Sequence, residues 1–262
     1  MKQKIYQIDA FTDSVFGGNP AAVCILESWI SDSLMQQIAA ENNLAETAFA
    51  VPSKNGYELR WFTPEIEVDL CGHATMATAF VLFNYYELKQ NTIRFISPRS
   101  GELLVTKSNT GSMTMDFPTD DLQPVSVQEN INTAIGKIPL ETYKGKTDYL
   151  LIYESQKDIK NITPDFYLLS KLDCRGVIVS SKGDKVDFVS RFFAPQCGIP
   201  EDPVTGSAHT TLIPYWSSKL GKTIMSAKQI SKRSGNLTCE FLGERVKISG
   251  NAVCYLIGEI NI

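Results

Sequence analysis

The chain has 262 residues, 43% of them hydrophobic and 21% charged, which excludes wholesale disorder and lets one large domain or two lobes of roughly 130 residues bury a core without disulfides. Lys+Arg 25 against Asp+Glu 29 leaves a net charge of −4. With no basic stripe and no apolar run near the ~20 residues of a membrane span, neither nucleic-acid nor membrane partners are expected.

In chain order, residues 1–9 read as a mixed polar strand rather than a signal peptide, so a soluble, cytoplasmic protein is expected. Gly17-Gly18-Asn19-Pro20 fits no phosphate-loop pattern, and nucleotide binding lacks support. Ser31-Asp32-Ser33-Leu34-Met35 opens a capped helix with Leu34, Met35 and Ile38 on one face. Residues 46–51 form an apolar strand, Asn55-Gly56 a turn and 57–63 an alternating strand. Helix 73–86 is apolar nearly all round, as a helix enclosed by a sheet should be. Strands follow at 92–97, 101–107 and 112–117, and a joint at 118–124. Beyond it, Thr163 is read as the cap of a helix with Pro164 at its first position. Then come strand 176–180, a turn at Lys182-Gly183-Asp184, strand 186–194, helix 207–219, and strands 228–233, 237–242, 245–249 and 253–260.

These elements repeat. Arg60-Trp61-Phe62-Thr63-Pro64 returns 131 positions later as Arg191-Phe192-Phe193-Ala194-Pro195. Each copy leads to a glycine that opens a helix, Gly72-His73-Ala74-Thr75 and Gly206-Ser207-Ala208-His209. The order predicts an α+β fold of two pseudo-symmetric lobes, each a mostly antiparallel sheet around a central helix. Residues 1–117 form the first, which the final strand 251–262 can join, and 118–250 the second.

The two Gly-opened helix starts would face the cleft between such lobes, where unpaired N–H groups and the positive end of the dipole suit a small carboxylate. Glu46 stands in Asn43-Leu44-Ala45-Glu46-Thr47-Ala48-Phe49. It is either buried, with a raised pKa suited to acid/base work, or set at a wet strand end. Asp202, ahead of Pro203, is either a turn residue or a second carboxylate of the site. His73 and His209 are the only histidines, and both lie in the helix-start motifs. His73 is read as a proton-carrying group and His209 as structural. Cys71 precedes Gly72 where a helix dipole would favour its thiolate, and Thr205 takes the matching place. The six cysteines show no CxxC and no zinc-ligand spacing, so free thiols and no metal are expected. Cys24, Cys174, Cys239 and Cys254 read as small buried hydrophobes. Ser207 lacks a nucleophile-elbow pattern, against a serine hydrolase.

Four stretches together carry a resemblance: Phe16-Gly17-Gly18-Asn19-Pro20-Ala21-Ala22-Val23, Asn43 to Phe49, Asp69-Leu70-Cys71-Gly72-His73-Ala74-Thr75, and Glu201-Asp202-Pro203-Val204-Thr205-Gly206-Ser207-Ala208. The chain resembles the phenazine-biosynthesis PhzF-like isomerases, relatives of diaminopimelate epimerase. The resemblance implies barrel-like lobes, a homodimer and isomerisation without a cofactor. It implies Glu46 as general acid/base, with His73, Asp202 and Ser207 as further catalytic residues. Asn19, Cys71, Gly72 and Gly206 would contact a small carboxylate substrate. The epimerase relatives use two thiols, and this chain keeps only the Cys71 position. A thiol racemase, with Cys71 opposed by Glu46 or Asp202, and a catalytically silent binding protein stay open as alternatives.

Overall fold

The computed structural model describes residues 2–126 and 128–262. The chain divides into two compact units, residues up to Asp116 with Ser249–Ile262, and Phe117–Ile248.

The first unit begins with β1 (Lys2–Ala10), β2 (Asn19–Ile25), α1 (Asp32–Asn42), β3 (Glu46–Ser53), β4 (Gly56–Phe62) and β5 (Glu67–Val68). It continues through α2 (Gly72–Tyr85), β6 (Thr92–Ser97), β7 (Gly101–Lys107) and β8 (Met113–Pro118). β1 pairs antiparallel with β2, β2 parallel with β3, and β3 antiparallel with β4, which pairs antiparallel with β5 and parallel with β6. β6, β7 and β8 complete an antiparallel run. Helix α2 lies against β1, β2 and β3. His73, Ala74, Thr75, Met76, Ala77, Thr78, Ala79, Val81, Leu82 and Phe83 are all buried, which is why the sequence lacks a polar face there. Helix α1 is capped by Ser31, whose side chain accepts from the Leu34 N–H. Its Met35, Ile38 and Ala39 pack with Phe49, Val51 and Phe62.

The second unit contains β9 (Gln123–Pro124), α3 (Glu129–Ile135), β10 (Glu141–Lys144), β11 (Asp148–Ile152), α4 (Gln156–Asn161) and α5 (Phe166–Leu169). After these come β12 (Gly176–Lys182), β13 (Phe188–Ala194), β14 (Ile199–Asp202), α6 (Gly206–Leu220), β15 (Ile224–Gln229), β16 (Gly235–Phe241) and β17 (Arg245–Gly250). The pairings from β10 to β16 run in the order seen from β1 to β7: antiparallel, parallel, antiparallel, antiparallel, parallel, antiparallel. Phe188 stacks on Trp216 of α6 at 5.8 Å and 6°, and Trp216 Nε1 donates to Ser180 Oγ at 2.9 Å. A separate cluster joins Ile131, Ile159 and Leu169 of the short helices to Val177, Val179 and Phe193. Finally β18 (Ala252–Asn261) returns to the first unit and pairs antiparallel with β1 from Lys2↔Asn261 to Ala10↔Ala252.

Some local expectations need correction. The cap near 163 is Asp165, not Thr163; its carboxylate accepts the Leu168 N–H at 3.0 Å, so the helix starts only at Phe166. The strand expected at 228–233 is β15, which ends at Gln229. Ser231 breaks it by donating to the Pro203 carbonyl at 2.7 Å and accepting the Ser234 N–H at 3.0 Å. Cys174 and Cys254 are only half-buried, while Cys24 and Cys239 are buried, and all six cysteines are free thiols. Among the described residues no helix is long and apolar enough to cross a membrane.

Candidate functional site

Three elements of the first unit converge on one buried cluster. The β1–β2 connection turns back on itself, with the Phe16 N–H donating to Asp9 Oδ2 at 3.0 Å. Gly18 closes it at φ +62, where a Cβ would overlap the Ala10 carbonyl; only glycine meets both conditions. The turn delivers Asn19, fully buried, as the first residue of β2. Parallel pairing with β2 sets Glu46, the first residue of β3, beside Ala21. Glu46 thus stands at a strand end yet is buried, at 9% exposure. The start of α2 supplies Cys71 as the cap residue, without a side-chain cap bond, and His73 as the second helical residue.

His73 organises the cluster. Its Nδ1 lies 3.1 Å from the Asn19 amide and 3.4 Å from Cys71 Sγ, and its Nε2 lies 3.1 Å from Glu46 Oε2. That last pair is in contact without hydrogen-bond alignment, and each atom is buried with no formed hydrogen bond. Burial pushes the Cys71 thiol up to about 11, helped by the Glu46 charge and opposed by His73. The thiolate expected from the helix start is therefore not favoured, because desolvation outweighs the dipole. Burial works against a charged His73, but Cys71 and Glu46 together outweigh it and hold the imidazole well above its ordinary value.

In the second unit Asp202 ends β14, and Thr205 is the cap residue of α6, again without a side-chain cap bond. Thr205 Oγ1 donates to Asp202 Oδ2 at 2.5 Å. The fully buried Gln229 clamps both, donating to the Asp202 carbonyl at 2.7 Å and accepting the Thr205 N–H at 2.9 Å. Ser207 is exposed, and its hydroxyl accepts from Arg175 Nη1 at 3.0 Å. Arg175 in turn grips the buried Asp148 through two contacts, one of them Nε to Oδ1 at 2.9 Å. Gly206 is buried and starts α6, as Gly72 starts α2.

The register explains why the units carry different chemistry. Glu46 opens the strand parallel to β2, and Gly176 opens the strand parallel to β11 opposite Asp148. A Cβ at Gly176 would run into the Phe192 ring and the Phe193 carbonyl. No acid fits there, and the preceding residue, Arg175, supplies a cation instead. Sequence reasoning missed Arg175, Asp148 and Gln229. None lies in a motif, and only their pairing partners in the folded sheet bring them to the α6 start.

His209 sits one turn into α6, fully buried, with Nδ1 2.8 Å from the Thr205 carbonyl. Burial pushes its pKa down to about 4, so it is a neutral, structural residue. The unfolded chain takes up this proton near the ordinary value of about 6.5 and the native state only near 4. Stability should therefore fall by up to about 3 kcal/mol as pH drops from 6.5 to 4, and then level off. Urea unfolding across that range should show this slope in the native chain and a flatter profile in His209→Gln.

A sequence profile described as Phenazine biosynthesis-like protein matches residues 8–258. An uncharacterized isomerase of Pseudomonas aeruginosa is 49% identical over 262 residues, covering 100% of both chains. A crystal structure of a phenazine biosynthesis PhzF-family protein of Enterococcus faecalis superposes with a TM-score of 0.97 at 49% identity over 100% of both chains. The fold also extends to a hydroxyproline epimerase of Agrobacterium vitis, at a TM-score of 0.63 and 8% identity over 99% of this chain and 91% of that one. The α+β, epimerase-like fold expected from the sequence is the fold found, and the chain belongs to the phenazine biosynthesis-like family of PhzF-type isomerases.

Proposed function

We propose that the protein is a cofactor-independent isomerase that moves a proton within a small, carboxylate-bearing, cyclic or unsaturated substrate. The observation that carries this reading is the buried Glu46 carboxylate held 3.1 Å from His73 at the start of α2. Glu46 takes an acidic C–H proton, the electron pair passes into the substrate's own conjugated system, and the proton returns to a different carbon. Substrate and product are then isomers, with no electrons gained or lost. His73 keeps Glu46 oriented and balances its charge. Asp202 and Ser207 are further catalytic residues, and Asn19, Cys71, Gly72 and Gly206 contact the substrate. Both helix starts lack side-chain caps, so their N–H groups are available to a carboxylate and to negative charge developing in the transition state.

A thiol racemase would need Cys71 ionised, and burial holds it protonated. The matching cap in the second unit, Thr205, carries no thiol. The proton-transfer reading is tested by incubating the protein in heavy water with a panel of cyclic and unsaturated amino and hydroxy acids. Deuterium should enter one carbon of the active compound while its double bond migrates. Exchange that yields only mirror-image products overturns the reading in favour of the racemase. No exchange with any member, despite measurable binding, overturns it in favour of a silent binding protein.

A further inference from the structure

The sequence alone shows no zinc-ligand spacing, yet the fold brings Glu46, Cys71 and His73 together. One carboxylate oxygen, the Sγ and one ring nitrogen all lie within 4.8 Å of one another, and all three residues are buried. These donors fit a definite class of ion. Once the ion displaces the protons on Cys71 and His73, thiolate, imidazole and carboxylate are together the ligands of Zn²⁺, and three protein ligands with an open fourth position are the pattern of its accessible sites. Zn–S of about 2.3 Å and Zn–N of about 2.0–2.1 Å place tetrahedral ligand atoms roughly 3.3–3.7 Å apart. With the ion on Nε2, the 3.1 Å from His73 Nε2 to Glu46 Oε2 already approaches that, whereas Cys71 Sγ, 3.4 Å from the other ring nitrogen Nδ1, completes the shell by turning toward Nε2. Glu46 Oε2 and His73 Nε2 are buried without a formed hydrogen bond, an unsatisfied state that a cation would relieve. Asn19, 3.1 Å from His73 Nδ1, would fix the ring from outside the ligand shell.

We infer that Glu46, Cys71 and His73 form a binding site for a Zn²⁺-class cation, and that the ion acts as an inhibitor. Bound there, it occupies the carboxylate oxygen that would receive the substrate proton, so occupancy and turnover exclude each other. The inhibition rests on the proposed role of Glu46; the binding does not.

Binding is therefore measured first, without substrate. The full chain, stripped with chelator and kept reduced, is titrated with Zn²⁺ alone, and with Co²⁺ to read the thiolate-to-metal charge-transfer band. The expected result is one ion per chain, a Co²⁺ band at one equivalent, and a rise in unfolding temperature with Zn²⁺. Removing a ligand should cost more than the ~10–100-fold that loss of an outer-shell partner costs, so Cys71→Ala and His73→Gln should each bind Zn²⁺ more than ~100-fold more weakly. Cys197→Ala, at an exposed thiol, should bind normally. If Cys71→Ala does not fold, Glu46→Gln keeps the test, because the band should persist while Zn²⁺ affinity falls. No stoichiometric Zn²⁺ binding, or unchanged binding in Cys71→Ala or Glu46→Gln, overturns the site. Zn²⁺ binding that leaves turnover untouched overturns the inhibitory role alone, and a fully active Glu46→Gln overturns the acid/base reading while leaving the site standing.

Discussion

Replacing Glu46 by Gln is expected to leave the fold intact and reduce turnover by ~10²–10⁴-fold, the usual contribution of a positioned acid/base group. The amide keeps the volume of the carboxylate, so the buried start of β3 stays packed, but it cannot accept the substrate proton. Cys71→Ser should cost far less, since a thiol held protonated only lines the site. Asp202→Asn should fall between them, because its carboxylate is tied to Thr205. Turnover measured with solvent-deuterium uptake separates the cases. Near-normal activity in Glu46→Gln, or a crippling loss in Cys71→Ser, would overturn the mechanism.

The largest loss of stability is expected from Phe188→Ala, at about 3–5 kcal/mol. Phe188 is fully buried between Trp216, stacked at 5.8 Å, and the His209 ring at 6.0 Å. Both neighbours belong to α6, whose first turn carries Gly206 and Ser207. Removing the ring opens a cavity and takes away the packing it gives to both residues of α6. Urea unfolding followed by hydrogen exchange at the α6 amides should show the loss concentrated in that helix. A change below about 1 kcal/mol would mean that the stack does not anchor α6.

Much of this architecture can be read before any coordinates, for identifiable reasons. Ser31 caps its helix as its hydroxyl predicts, and helix 72–85 advertises its enclosure by lacking a polar face. Glu46, Cys71 and His73 stand out because each breaks an apolar or glycine pattern. Other features carry a local signal: Ser155 and Asp158 form a capping box, and Gly136 ends α3 in the left-handed region. The β15 error has a physical origin, since Gln229 is polar in sequence but fully buried as a clamp, so alternation misplaces the strand. Arg175 and Asp148 are a different matter. Asp148 and Arg175 meet only through the parallel pairing of β11 and β12, and sequence spacing holds no trace of that register.

The pairing of β1 with β18 has a consequence for synthesis. Lys2 leaves the ribosome long before its partner Asn261, whereas the strand pairs of the second unit form between nearer neighbours. The second unit can condense on the emerging chain while β1, paired on one side to β2, still shows its other edge. That edge is a template for wrong partners until the ten-residue β18 arrives. Lys2 and Lys4 place charge along the waiting edge, which discourages premature pairing. Once β18 has paired, Lys2 meets Glu259 across the new ladder, so the residue that protects the nascent edge becomes part of its closure.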